Sequence, residues 1–252
     1  MPRMMPKDDN MQVTQIPGPG TFQFSAVRPE NLGATEYTLV TIVVDETSSV
    51  ISFADDLLKT VKSILEACQK NPRAENLMVR LMSFNDKQTE IHGFKPLSAI
   101  RISDYLPFRP SGMTALYDAT YGAVGATLTY AKLLTDQDFE VNGAIYVITD
   151  GMDNMSGVTP AMIADKVADA KNDDAIESMI TVLVGLREPG TGNNGVGQYL
   201  QQFQQDAKLT RYVDVGDATS GQLARLAQFV SHSISSQSQA LGTGVMSQPL
   251  TF

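Results

Sequence analysis

The chain is poor in the residues that build most metal and covalent-catalytic centres. It has one cysteine, Cys68, in 252 residues, which excludes an internal disulfide framework and fits a reducing compartment. There are two histidines, His92 and His232. Neither lies near a cysteine or an acidic pair at zinc spacing, and neither follows a nucleophile-elbow motif, so no zinc site and no Ser-His-Asp arrangement is indicated. Basic residues are outnumbered, 19 against 28 acidic ones, for a net charge of -9 and a pI near 4.7. Without a Lys/Arg cluster the chain lacks the means for broad nucleic-acid binding. No apolar run approaches the roughly 20 residues that span a bilayer. Met1 to Asn10 carries Arg3 and Lys7 but no apolar block after them, which is not the pattern of a secretory signal. The expected location is the cytoplasm, or the interior of a phage-like or other assembled particle.

What is present is core material. Hydrophobic residues make up 42% and charged residues 19%, enough for one large α/β domain. Residues 1–35, with Pro17-Gly18-Pro19-Gly20, read as an extended N-terminal arm that orders on a partner. Residues 36–240 read as the domain and 241–252 as a loose tail.

Within the domain, Thr38 to Val44 is a continuous β-branched run, the mark of a strand buried on both faces. Val50, Ala54, Leu57, Val61, Leu65 and Cys68 then recur at helical spacing until Asn71-Pro72. Leu77 to Phe84 reads as a second strand, with Thr89 to Phe94 pairing back antiparallel as a sheet edge. A helical pattern through Leu116, Ala119, Ala123, Ala126 and Leu133, opened by Thr114, a strand at Ala144 to Thr149 and a helix opened by Thr159-Pro160 follow. A strand at Met179 to Val184, a helix around Tyr199 to Ala207, a strand at Arg211 to Val215 and a last helix through Leu223, Leu226, Val230 and Ile234 complete the order. This alternation predicts an α/β fold: a doubly wound, mostly parallel sheet with one antiparallel edge strand and helices on both faces.

Two of the apolar runs end in polar motifs. Asp45-Glu46-Thr47-Ser48-Ser49 follows the first and Asp150-Gly151 follows the strand at 144–149, while Thr114 sits in a loop before a helix. In an open α/β sheet such positions share the rim at the carboxyl ends of the strands. Asp45, Thr47, Ser49, Thr114 and Asp150 together offer two carboxylates and three hydroxyls. An all-oxygen set suits a hard cation, Mg²⁺ first and Mn²⁺ second.

These three separated motifs resemble the von Willebrand factor type A (VWA) domain and its metal-ion-dependent adhesion site (MIDAS), whose signature is Asp-x-Ser-x-Ser, a separate Thr, and Asp-Gly. The resemblance covers roughly residues 36 to 240. It implies that Thr47, Ser49 and Thr114 are hydroxyl ligands and that Asp45 and Asp150 hold the ion directly or through water. Thr47 departs from the usual Ser, keeping the oxygen and adding a methyl. Ser111-Gly112-Met113 departs from the tighter glycine pair common before the family's Thr. The implied activity is recognition: two carboxylates just neutralise the ion, which keeps an open position for an acidic side chain of a partner protein. Glu46, Ser48, Met113, Met152 and Asp153 are the candidate rim. The chain is therefore expected not to be an enzyme.

The partner is open between two contexts, an adaptor for a MoxR-type AAA+ ATPase and a subunit of a phage or secretion-like assembly that uses the N-terminal arm. A third reading is a Mg²⁺-dependent phosphatase of the haloacid dehalogenase type, which also has an Asp after its first buried strand. That chemistry wants a second Asp two positions on for proton transfer, where this chain has Thr47. Gly190-Thr191-Gly192-Asn193-Asn194-Gly195 matches a dinucleotide fingerprint in form, yet Leu186 to Pro189 separate it from the strand and a loop is expected.

Overall fold

In the computed structural model, which describes residues 10–18, 22–172, 175–190, 192, 195–241 and 252, the order of elements follows the hydrophobic pattern closely. The first buried run becomes β3 (Glu36–Asp45), with every residue after Glu36 buried. It lies at the centre of an eight-stranded sheet, paired in parallel with β4 (Leu77–Phe84) on one side and β6 (Glu140–Thr149) on the other. Beyond β6 come β7 (Ser178–Arg187) and β8 (Arg211–Asp217), both parallel. A strand with helices over both faces has no solvated side, which explains the unbroken β-branched composition.

Side chains alternate across the pleat. Val40, Ile42 and Val44 face the layer of α1 (Ala54–Gln69) and α5 (Ser220–Ala240). On the other face Val43, Ile145, Val147 and Leu183 meet α2 (Leu116–Thr135), α3 (Pro160–Asn172) and α4 (Val196–Asp206). Thr159 and Thr219 act as the expected N-caps, accepting from Met162 N at 3.4 Å and from Gln222 N at 3.4 Å. α1 begins later than its periodicity suggests, because a 3-10 turn over Ser48–Ser52 takes up the first apolar position. Cys68 packs on α1 as expected, and burial pushes its thiol up to about 12, far from a reactive thiolate.

The antiparallel strand is present as β5 (Gln88–Pro96), but the sheet does not end there. The segment expected to be an extended arm contributes two more strands, β1 (Met11–Gln15) and β2 (Gln23–Val27), with β2 running parallel to β5. Two contacts distant in sequence fasten this hairpin. Glu90 on β5 takes hydrogen bonds at 3.0 and 2.5 Å from the backbone and hydroxyl of Ser25, and pairs at 2.8 Å with Arg80 on β4, which is only 2% exposed. At Gly93 the β2 backbone comes so close that an added Cβ would lie 1.9 Å from the Ser25 carbonyl oxygen. Phe24 completes the seat against Phe94 and Tyr130. Residues 1–9 of the expected arm, and 242–251 of the expected tail, lie outside the described residues. Leu241 is buried, and the Phe252 ring packs on Phe229.

Gly93→Ala should therefore displace the hairpin. A loss of about 1–3 kcal/mol, typical of overpacking, is expected in urea unfolding, with faster hydrogen exchange confined to Gln23–Val27; unchanged stability would contradict the close approach.

His92 on β5 is structural and His232 on α5 is exposed. The His92 ring stacks on Tyr105 and bonds its hydroxyl at 2.7 Å, and burial lowers its pKa to about 4. No helix among the described residues is long and apolar enough to cross a membrane.

Candidate functional site

Asp45 is the last residue of β3 and Asp150 directly follows β6. Because β3 and β6 are neighbours and parallel, with Val44 opposite Ile148, their ends bring the two carboxylates to one rim. Both are buried, Asp45 at 1% and Asp150 at 9% exposure. Asp45 Oδ1 accepts from the Thr47 backbone N–H at 2.9 Å, and Oδ2 accepts from the Thr149 hydroxyl at 2.6 Å. The Thr47 and Ser49 hydroxyls are 2.9 Å apart, and Ser49 donates to Asp150 Oδ1 at 2.8 Å.

Thr114 belongs to the same cluster. It sits just before α2, is 6% exposed, and its Oγ1 is near enough to Gly151 that an added Cβ there would approach to 3.4 Å. Its backbone is held on both sides by Asn154, whose side chain accepts from Thr114 N at 2.9 Å and whose N–H donates to Thr114 O at 3.0 Å. Its hydroxyl makes no hydrogen bond to another described residue. All five predicted ligands thus converge.

The electrostatics of the cluster are one-sided. Burial raises the Asp45 pKa, against hydrogen bonds from Thr149 and Thr47 that lower it. Asp150 is pushed up to about 6, by burial first and then by the Asp45 charge, with the Ser49 hydrogen bond opposing. Neither carboxylate has an ion-pair partner among the described residues, so two buried acids stand together with no cation to offset them.

This donor set fits a hard divalent ion. Adjacent ligands of an octahedral Mg²⁺ with bonds near 2.1 Å are separated by about 3 Å, and the Thr47–Ser49 hydroxyl spacing of 2.9 Å matches such an edge. Among the described residues no group of three His, Cys, Asp or Glu side chains forms, so any ion held here would rely on the hydroxyls as well as the two carboxylates.

The predicted rim divides. Ser48, Met113 and Met152 are exposed around the cluster. Glu46 and Asp153 are instead spent on organising loops. Glu46 accepts from the Ser83 hydroxyl at 2.6 Å and from the Arg109 backbone N–H, and its own carbonyl accepts from Ser111 N at 3.0 Å. Asp153 accepts from Tyr117 N in the first turn of α2 at 3.1 Å, as a cap supplied from a distant loop. Both are half-buried, which sets them apart from the exposed Ser48, Met113 and Met152.

Sequence reasoning missed Thr149 and Asn154, which fix Asp45 and Thr114. Asn154 carried a faint signal in its nearness to Asp150-Gly151; Thr149 read only as the end of a strand.

An eight-stranded, mostly parallel sheet with helices on both faces and a rim of oxygen donors at the strand ends defines a VWA/Rossmann-like α/β fold. No protein-family model and no curated protein matches the sequence. Solved structures do match in shape. The D319A mutant of the PilB minor pilin from Streptococcus sanguinis aligns with a TM-score of 0.55 at 13% identity, over 83% of this chain and 64% of that one. The pilus adhesin SpaC from Lactobacillus rhamnosus GG gives 0.55 at 11% identity, over 92% and 36%. Proximal thread matrix protein 1 from the mussel byssus gives 0.50 at 17%, over 81% and 47%. The chain spans less than two thirds of each of these proteins, and at such identities the likeness is one of fold.

Proposed function

We propose that this chain is a protein-binding module, not an enzyme, that holds a divalent cation, Mg²⁺ or Mn²⁺, at the MIDAS-like cluster and uses it to take an acidic side chain of a partner. Asp45, Thr47, Ser49, Thr114 and Asp150 would hold the ion. When bound, the ion supplies an electrophilic position for an anionic ligand. The observation that carries the reading is the pair of adjacent, buried carboxylates beside three hydroxyls, with no ion-pair partner for the acids and no hydrogen-bond partner for the Thr114 hydroxyl among the described residues.

A second observation favours a protein as the ligand. Of the large apolar side chains exposed among the described residues, Met113, Met152 and Met155 lie in the segments that carry Thr114 and Asp150, and Ile51 lies in the 3-10 turn that carries Ser49. The loops are tied together by Ser48 Oγ to Gly112 O at 3.2 Å and by the Glu46 and Asn154 bonds, which makes the platform preorganised. Methionine-rich surfaces adapt well to partner side chains. Against phosphatase chemistry, Thr47 has no titratable group where a general acid is needed.

A MoxR-type AAA+ partner and a cytoplasmic location belong to the same reading as its narrower form. The competing context is a larger assembly, which the pilus proteins among the similar folds favour.

Titration calorimetry tests the centre. Mg²⁺ or Mn²⁺ should bind the wild type and not Asp45→Ala; equal heats for the two proteins would sink the reading. Pull-downs from native lysate with and without chelator should show a partner lost with the metal.

A further inference from the structure

The two edges of the sheet are protected very differently. β8 carries Arg211, Asp214 and Asp217; Arg187 on β7 pairs with Asp214 at 3.2 Å and with Asp217 at 3.6 Å, and the register shifts between Gly185 and Leu186. Charges and a bulge are the usual guards against a further strand. β1, Met11-Gln12-Val13-Thr14-Gln15, has no charge, no proline and no register shift along its pairing with β2.

The free side of β1 can be assigned. Arg28 N donates to Asn10 O and Ile16 N to Phe22 O, both at 2.9 Å. Because hydrogen bonding alternates along an antiparallel pair, Asn10, Gln12, Thr14 and Ile16 turn their backbone groups toward β2. Met11, Val13 and Gln15 turn theirs outward, and no described residue meets them. Val13 at the midpoint is 69% exposed.

We infer that β1 is a docking edge for a second copy of this chain, through two-fold antiparallel pairing centred on Val13. The choice of occupant rests on self-complementarity. In that register Val13 pairs with Val13 of the second copy, and Met11 with its Gln15, so the outward-facing groups of both edges satisfy one another. The two valines stand in a hydrogen-bonded pair, with Cα atoms about 5.5 Å apart, and cover each other's apolar surface. The absence of charge leaves nothing for the two-fold axis to set against itself. The hairpin that presents this edge is held rigidly by the Arg80–Glu90–Ser25 contacts, so pairing needs no prior ordering. The inference is independent of the cation site, which lies at the other kind of sheet boundary, the strand ends.

Sedimentation velocity of the full chain, in chelator and over a wide concentration range, tests it. The wild type should show a concentration-dependent monomer–dimer equilibrium. Val13→Lys sets two ammonium groups across the axis and should weaken dimerisation at least tenfold, and Val13→Glu should do the same. An equimolar mixture of the two variants should recover a dimer that neither forms alone. Near-UV circular dichroism checks that each variant keeps its fold, and hydrogen exchange should show Met11, Val13 and Gln15 amides protected only in the dimer. A wild type that stays monomeric at the highest concentration, or that dimerises no better than Val13→Lys, overturns the proposal. So does an edge protected only after adding a different protein.

Discussion

Asp150→Asn is expected to make the metal-free protein more stable and, at the same time, to abolish its stabilisation by Mg²⁺. In the folded chain burial and the neighbouring Asp45 push Asp150 up to about 6, from an ordinary value of 3.8. The folded state therefore holds more protons than the unfolded state between those values, and its stability falls as pH rises through that window. The full shift corresponds to about 3 kcal/mol; the amide retains a hydrogen-bond acceptor for Ser49, so a gain of about 1–2 kcal/mol at neutral pH, or roughly 4 °C in Tm, is expected. A cation held at the cluster would offset the same charge in the wild type. At a hundredfold excess over its dissociation constant it should add about 2.7 kcal/mol. A thermal scan with and without Mg²⁺ reads both effects. A variant less stable than the wild type in chelator, or one still raised by Mg²⁺, would contradict the account of the site.

The same substitution should uncover a second titration. His92 is lowered to about 4 by burial, from 6.5, so the unfolded state takes up protons first and stability is lost as pH falls through that range. In the metal-free wild type this slope opposes that of Asp150 between about pH 4 and 6. Asp150→Asn removes one of the two. Its stability should rise with pH across the window more steeply than that of the wild type, and parallel curves would show that Asp150 has been misread, since the His92 contribution is common to both.

Glu90→Ala is the second large effect expected. Arg80 is buried at 2% exposure on β4, and Glu90 is its only ion-pair partner among the described residues. Removing the carboxylate leaves a desolvated guanidinium, a change that usually costs about 3–5 kcal/mol. It also takes the acceptor from Ser25 N and Oγ, so the hairpin should loosen together with the core. Chemical denaturation should show the global loss, and hydrogen exchange at Gln23–Val27 the local one. Glu90→Gln, which keeps an acceptor, should fall between. A loss under about 1 kcal/mol, the size seen for exposed pairs, would mean that water reaches Arg80.

The course of the chain from β3 to α5 was legible because each element buries a face and so writes its period into the apolar positions. The N-terminal hairpin was not. Its strands are five residues each, with Pro17 and Gly18 in the turn and only Ile16, Phe24, Ala26 and Val27 buried. What decides its place is Gly93, Glu90 and Arg80, all more than 50 residues away. In the site, Asp45 and Asp150 were readable from their position after buried strands, since parallel neighbours must end on one rim. That Glu46 clasps a distant loop and Asp153 caps a distant helix was not readable, because local sequence does not say which distant donors a carboxylate will meet.

The sequence by itself determined the strand–helix alternation, the all-oxygen character of the cluster and the lack of thiol or imidazole ligands, because these depend on residue type and local period. Only the tertiary structure decided that residues 11–15 and 23–27 belong to the sheet, that Thr149 and Asn154 fix Asp45 and Thr114, and that two carboxylates lie buried with no ion-pair partner among the described residues. Desolvation and pairing are properties of what surrounds a group, and those surroundings are assembled from segments that the linear order keeps apart.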